Sequence, residues 1–232
     1  MSASTTSAIP VASATPDARA QFIRRTYVHV AVAIVLFAIV EWLLLQWSVA
    51  QNLANRMTEG YAWLGVLLAF MFVSSLADRW ARSPGSTGKQ YAGFGVFILA
   101  EAVLFLPMLL AVSNQADDVL SSAALITLLM VIGLTAVVVL TRTDFSFLRS
   151  ALTIGGFIAL GLIVASIIFG FGLGLIFSVA MVAFASGSVL YNTSNIMRTY
   201  RTDQPVAAAL ALFASIALLF WYVVRIVSGQ RR

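Results

Sequence analysis

The chain has 232 residues, 61% hydrophobic and only 10% charged, far from the quarter or so of charged residues in a soluble domain. It is an integral membrane protein, and a soluble globular domain is excluded. The formal charge of +5 comes from arginines scattered among short loops rather than gathered on one face, so it reports topology and not nucleic acid. The absence of cysteine excludes disulfides, thiol catalysis and cysteine metal sites.

Residues 1–21 read as a disordered cytoplasmic tail. They are rich in Ser, Ala and Thr, include Pro10 and Pro16, and lack the basic n-region and cleavage motif of a signal peptide. Residues 22–232 read as a single all-α membrane domain, a bundle of seven transmembrane helices. With about 20 apolar residues per crossing, spans are predicted near 27–47, 61–78, 91–112, 120–140, 149–169, 173–195 and 206–227. Between the fifth and sixth, Gly170-Phe171-Gly172-Leu173-Gly174 predicts a tight apolar hairpin. With no lysine, following Ser/Thr or preceding strand, it is not a phosphate loop.

Basic residues set the expected orientation. The tail carries Arg19, Arg24 and Arg25, and the loops after spans two, four and six carry Arg79, Arg82, Lys89, Arg142, Arg149, Arg198 and Arg201. The opposite loops hold only Arg56, the acidic pair Asp117-Asp118 and the glycine hairpin. The positive-inside rule therefore places the N-terminus in the cytoplasm, and for a bacterial chain the membrane is the inner one. The C-terminal Arg225, Arg231 and Arg232 run against this rule. The uninterrupted stretch Val206 to Val227 favours a full seventh crossing, and a re-entrant segment is the alternative.

Enzyme chemistry finds no constellation, and no cofactor is expected. A retinal Schiff base needs a lysine in a helix, but Lys89 lies in a loop. One histidine, His29, cannot assemble a zinc site and is remote from Ser186, the serine of Phe184-Ala185-Ser186-Gly187. The small residues Ser186, Gly187, Ser188, Gly161 and Ala165 predict close helix packing. Polar groups at membrane depth mark packed seams or solute pathways. The densest run is Leu190-Tyr191-Asn192-Thr193-Ser194-Asn195 near the end of span six, with Tyr191, Asn192 and Asn195 as candidates. Glu101 lies roughly 15 Å deep and Glu41 roughly 21 Å deep from the cytoplasmic ends of their spans. Glu101 reads equally as a pathway residue or as a protonated acid bonded to a neighbouring helix. Glu41, beside Trp42 and Trp47, reads as part of an interfacial belt. Pro107 should kink span three, and Asp144 reads as the N-cap of span five.

Four motifs in this order resemble the transmembrane Bax inhibitor motif family, also called the Bax inhibitor-1 family, in its bacterial-type form. They are Phe22-Ile23-Arg24-Arg25-Thr26-Tyr27, Ala100-Glu101-Ala102-Val103-Leu104-Phe105-Leu106-Pro107, Asp144-Phe145-Ser146-Phe147-Leu148, and Leu190-Tyr191-Asn192-Thr193-Ser194-Asn195-Ile196. The resemblance implies a seven-helix bundle with a central helix, and for several members a pH-sensitive calcium leak gated by two aspartates. At the matching positions this chain has Asn192 and Ser215, and Arg79 matches the basic residue of the gate. Paired carboxylates that share a proton make a pH switch, whereas Asn and Ser can only hydrogen-bond. Neutral oxygens also hold Ca²⁺ weakly, unless Glu101, expected at the level of Ser215, supplies the charge. The leading expectation is a passage for Ca²⁺, H⁺ or another small cation through the lipid bilayer. The alternative is a non-conducting protein that modulates a membrane protease or quality-control partner through its tail.

Overall fold

The computed structural model describes residues 9–113 and 118–229. A short 3-10 turn, Val11–Ser13, precedes eight α-helices: α1 (Pro16–Gln46), α2 (Ser48–Met57), α3 (Ala62–Ala81), α4 (Thr87–Ser113), α5 (Val119–Thr141), α6 (Leu148–Phe169), α7 (Gly174–Arg198) and α8 (Pro205–Gly229). All but α2 are long and apolar enough to cross a membrane. The seven expected spans fall on these seven helices.

The N-terminal segment departs from expectation. Residues 1–8 of the expected disordered tail lie outside the described residues, but from Ile9 onward the chain has a defined place. Val11 is fully buried, its amide donates to the Tyr200 carbonyl (2.8 Å), and the Thr202 amide donates to the Ile9 carbonyl (3.1 Å). Helix α1 then begins at Pro16, eleven residues before the apolar run starts at Tyr27. Thr15 accepts the Ala18 amide, Pro16 stands where the missing N–H is harmless, and Asp17 complements the helix dipole. Local capping chemistry thus outweighs a composition that looks disordered.

Helix α2 reads as loop in the sequence because ten residues cannot span a bilayer. It forms because Ala50, Ala54 and Met57 recur at helical spacing and become buried; Ala50 and Ala54 pack with Leu106 of α4. The glycine hairpin turns as expected, with Gly170 (φ 71°) and Gly174 (φ 60°) in the left-handed region.

Helix α8 is the central helix. Of its apolar window 72% is buried, against 6% for α3 and for α6, and it packs on α7, α1, α5, α4 and α3. Phe213 on α8 meets Phe37 of α1 (6.0 Å) and Phe97 of α4 (6.2 Å). Helix α6 packs on α7 at the periphery. Close helix approach occurs at Gly93 of α4, where a Cβ would sit 2.5 Å from the Ala77 carbonyl oxygen of α3. Gly161, expected as a packing glycine, faces open space, and Gly187 has only ordinary contact with Leu152. Helix α4 runs through Pro107 to Ser113.

Candidate functional site

Four basic segments meet at the end of the bundle that carries the N-terminus, called here the N-side. The Arg82 guanidinium, ion-paired with Asp78 at 2.8 Å, lies 5.8 Å above the ring of Tyr200, which joins the loop after α3 to that after α7. Burial raises the Tyr200 hydroxyl above its ordinary pKa, partly offset by Arg82. Ser194 accepts the Phe145 amide (3.2 Å), and Arg198 donates to the Arg142 carbonyl, so the α5–α6 loop is tied to α7. Asp144 does not cap α6, whose N-cap position is Phe147. Its carboxylate accepts the Ser146 amide (2.9 Å), closing the turn before the helix, and this bond lowers its pKa.

Just inside this layer, α7 and α8 bring Asn192 and Ser215 together. Asn192 Nδ2 donates to Ser215 Oγ (2.8 Å) and, more weakly, to the Ala211 carbonyl (3.3 Å). Ser215 Oγ in turn donates to the same carbonyl (3.1 Å). The backbone acceptor fixes the serine rotamer, so its lone pair faces the amide. Such bonds between membrane helices are worth about 0.6 kcal/mol on average. The pair borders a cavity of about 430 Å³ between α6, α7 and α8, whose wall includes Tyr191, Ser188 and Arg149.

The basic residue at this cavity is Arg149, at the start of α6. Arg79 is exposed near the N-side end of α3 and is not part of the cavity wall. Asn195 lies one turn nearer the N-side and accepts from Thr199 (3.3 Å). Arg149 reads in sequence only as a topology charge, because nothing in one dimension says that α6 lies across from α8.

Glu101 is 6% exposed and faces a second cavity, about 680 Å³, between α3, α4, α6 and α8. Phe97 on α4 faces Phe213, and Phe105 faces Trp221 (4.9 Å), so Glu101, midway between them, lies near the level of Ala217. The expectation that spans three and seven face each other therefore holds for α4 and α8. Glu101 nevertheless makes no hydrogen bond to Ser215 and borders the neighbouring cavity. The two cavities abut at Ala214 and Leu218, which line both.

Glu41 stands apart from both cavities. It is 4% exposed, and neither carboxyl oxygen finds a hydrogen-bond partner among the described residues. One further polar cluster carries no single sequence signal. The Tyr27 hydroxyl of α1 approaches Thr193 of α7 and Thr135 of α5, although none of the three completes a bond of regular geometry. His29 bridges helices instead of serving any serine, sharing a 2.9 Å hydrogen bond with Tyr91 of α4. No group of three His, Cys, Asp or Glu side chains is placed to hold a metal among the described residues.

Seven crossing-length helices, one of them buried at the centre, with a polar pair between two of them, define a polytopic helical membrane protein. The family model described as "Inhibitor of apoptosis-promoting Bax1" matches residues 19–232, and the chain belongs to this Bax inhibitor-1 family. An uncharacterized protein of Pseudomonas aeruginosa is 38% identical over 116 residues, which cover 50% of this chain and 51% of that protein. The match thus spans about half the length of this curated relative.

Proposed function

We propose that this protein is a conduit for small cations, of leak or transporter type, in a bacterial inner membrane with the N-side in the cytoplasm. The observation that carries the reading is the pair of cavities stacked along α8, one holding Glu101 and the other the Asn192–Ser215 pair, which meet at Ala214 and Leu218. Movement of Leu218 would join them. The N-side cavity is bordered by the bond between Asn192 and Ser215, which has no ionisable member, so passage should depend little on pH through this pair. Calcium would be held weakly, since Ca²⁺ wants six to eight oxygens and several carboxylates. The basic residues at the N-side support the orientation.

The alternative, a non-conducting modulator of a membrane protease, draws on a free N-terminal segment. Residues 9 to 13 are docked on this chain's own α7–α8 turn, which favours the conduit. The test is flux of Ca²⁺, H⁺ and K⁺ into liposomes holding the full chain. Flux above that of protein-free liposomes, reduced by Leu218→Trp, supports the proposal. No flux for any of the three ions overturns it.

A further inference from the structure

The larger cavity has a chemistry of its own that the passage of inorganic ions does not use. We propose that the cavity around Glu101 binds a lipophilic organic monocation, with its charge at the Glu101 carboxylate and its apolar body against the surrounding aromatic rings.

The carboxyl group of Glu101 makes no hydrogen bond or ion pair among the described residues. The other small polar side chains of the cavity are already satisfied on their own helices. Ser166 donates to the Ile163 carbonyl (2.8 Å) and Ser74 to the Phe70 carbonyl (2.7 Å). A carboxyl group buried at membrane depth without a partner is expensive unless something fills the role. The cavity leaves that role to a ligand.

The walls specify the ligand class. Trp63 of α3 stacks on Trp221 of α8 (6.2 Å, 22° between planes), Trp221 meets Phe105 edge to face (4.9 Å), and Phe70 lies 6.2 Å from Phe97. Aromatic faces attract cations, and most strongly those with an apolar, weakly hydrated surface. With a single carboxylate in the cavity wall and no cluster of acidic ligands, a divalent metal lacks its oxygen shell, whereas one organic positive charge is matched. Arg225, held 5.9 Å from the ring of Tyr222, occupies the opposite end of the cavity. Eight residues of α8 separate it from the level of Glu101, about 12 Å. It repels positive charge there and so confines a cation to the Glu101 end. The volume, about 680 Å³, falls within the usual range of small-molecule pockets. Helix α6 packs on α7 and stands off α3 and α4 across the cavity, so an apolar ligand can partition into it from the bilayer.

The test uses the full chain in detergent micelles, with tetraphenylphosphonium as the probe and isothermal titration together with tryptophan quenching as readouts. Saturable binding is expected, weaker by about tenfold or more for the neutral analogue triphenylphosphine oxide and for Glu101→Gln. Trp221→Leu should also weaken it, while Glu41→Gln, outside the cavity, should not. Equal affinity for the cation and its neutral analogue on the native chain would reveal an apolar, lipid-filled pocket and overturn the proposal, whatever the variants do. Unchanged affinity in a folded Glu101→Gln protein overturns it as well. Binding is read without flux, so its failure and that of the conduit are distinguishable.

Discussion

The amide of Val11 donates to the carbonyl of Tyr200 across 189 positions of sequence, pinning the start of the chain to the turn between α7 and α8. Tyr200 in turn lies beneath the guanidinium of Arg82. One aromatic residue thus joins the N-terminus, the α3–α4 loop and the α7–α8 loop on the side where the Asn192–Ser215 pair lies nearest.

Val11→Ala removes the equivalent of two buried methylene groups and should lower stability by about 1.5 kcal/mol. Val11→Asp should lower it further, because the side chain has no exposure and a carboxylate there would lose its hydration. Thermal denaturation of the full chain in micelles measures both. Melting temperatures equal to that of the native protein would show that the N-terminal segment does not dock as described.

The bond between Asn192 and Ser215 predicts a coupling that a double-mutant cycle can read. Asn192→Leu and Ser215→Ala, alone and combined, should give an interaction energy of roughly 0.6 kcal/mol, and no more than about 1.7. Steric trapping or denaturant unfolding in micelles supplies the four stabilities. Strict additivity would mean that the two side chains do not interact.

Placing acids at the same two positions should change the response to pH rather than stability alone. Asn192→Asp together with Ser215→Asp creates a carboxylate pair where the native side chains meet at 2.8 Å. Two such groups cannot both ionise at ordinary cost, so the pair holds one proton over a wide range and loses it as pH rises. Ion flux in liposomes should become pH-dependent in the double variant and stay nearly flat in the native chain. A flat profile in the variant would separate this pair from the permeation path.

Gly93 and Gly161 make a matched comparison. A Cβ at position 93 would press within 2.5 Å of the Ala77 carbonyl and 2.8 Å of the Ala81 amide, both backbone atoms that cannot step aside singly. Gly93→Ala should therefore force α3 from α4 and cost about 1 to 3 kcal/mol. Gly161→Ala meets nothing within 4 Å and should be neutral or stabilising by up to about 1 kcal/mol. The two melting temperatures should move in opposite directions or differ by several degrees.

Asp144 titrates below its ordinary value of 3.8 because the carboxylate accepts the Ser146 amide, with Arg198 adding a smaller favourable charge. A carboxylate whose folded pKa is depressed stabilises the fold above its unfolded value, and the contribution fades as pH falls through the folded one. The Ser146 amide should accordingly be protected from hydrogen exchange near neutral pH and lose that protection below the carboxylate range. Asp144→Ala should exchange fast at both pH values. Equal protection of the native amide across this range would rule out the turn-closing bond.

The sequence by itself determined the all-α membrane class, the seven crossings and the polar run in α7. These follow from hydrophobic length and from the expense of polar atoms in lipid, which are properties of each segment alone. The family resemblance assigned Asn192 and Ser215 to two matching positions, and the structure brings the two side chains to 2.8 Å. What only the tertiary structure decided concerns neighbours across helices. Arg149 rather than Arg79 borders the Asn–Ser cavity, Glu101 opens into a separate aromatic cavity, and Gly93 rather than Gly161 is the close contact. Composition also hid the docking of Val11 and the cap at Thr15, since they rest on one or two hydrogen bonds each in a segment with no apolar periodicity. Inside a bilayer nearly every helix face is apolar, so hydrophobicity fixes depth along the membrane normal but not rotation about the helix axis. Rotation is set by packing and by paired polar groups, and it decides which carboxylate meets which cavity.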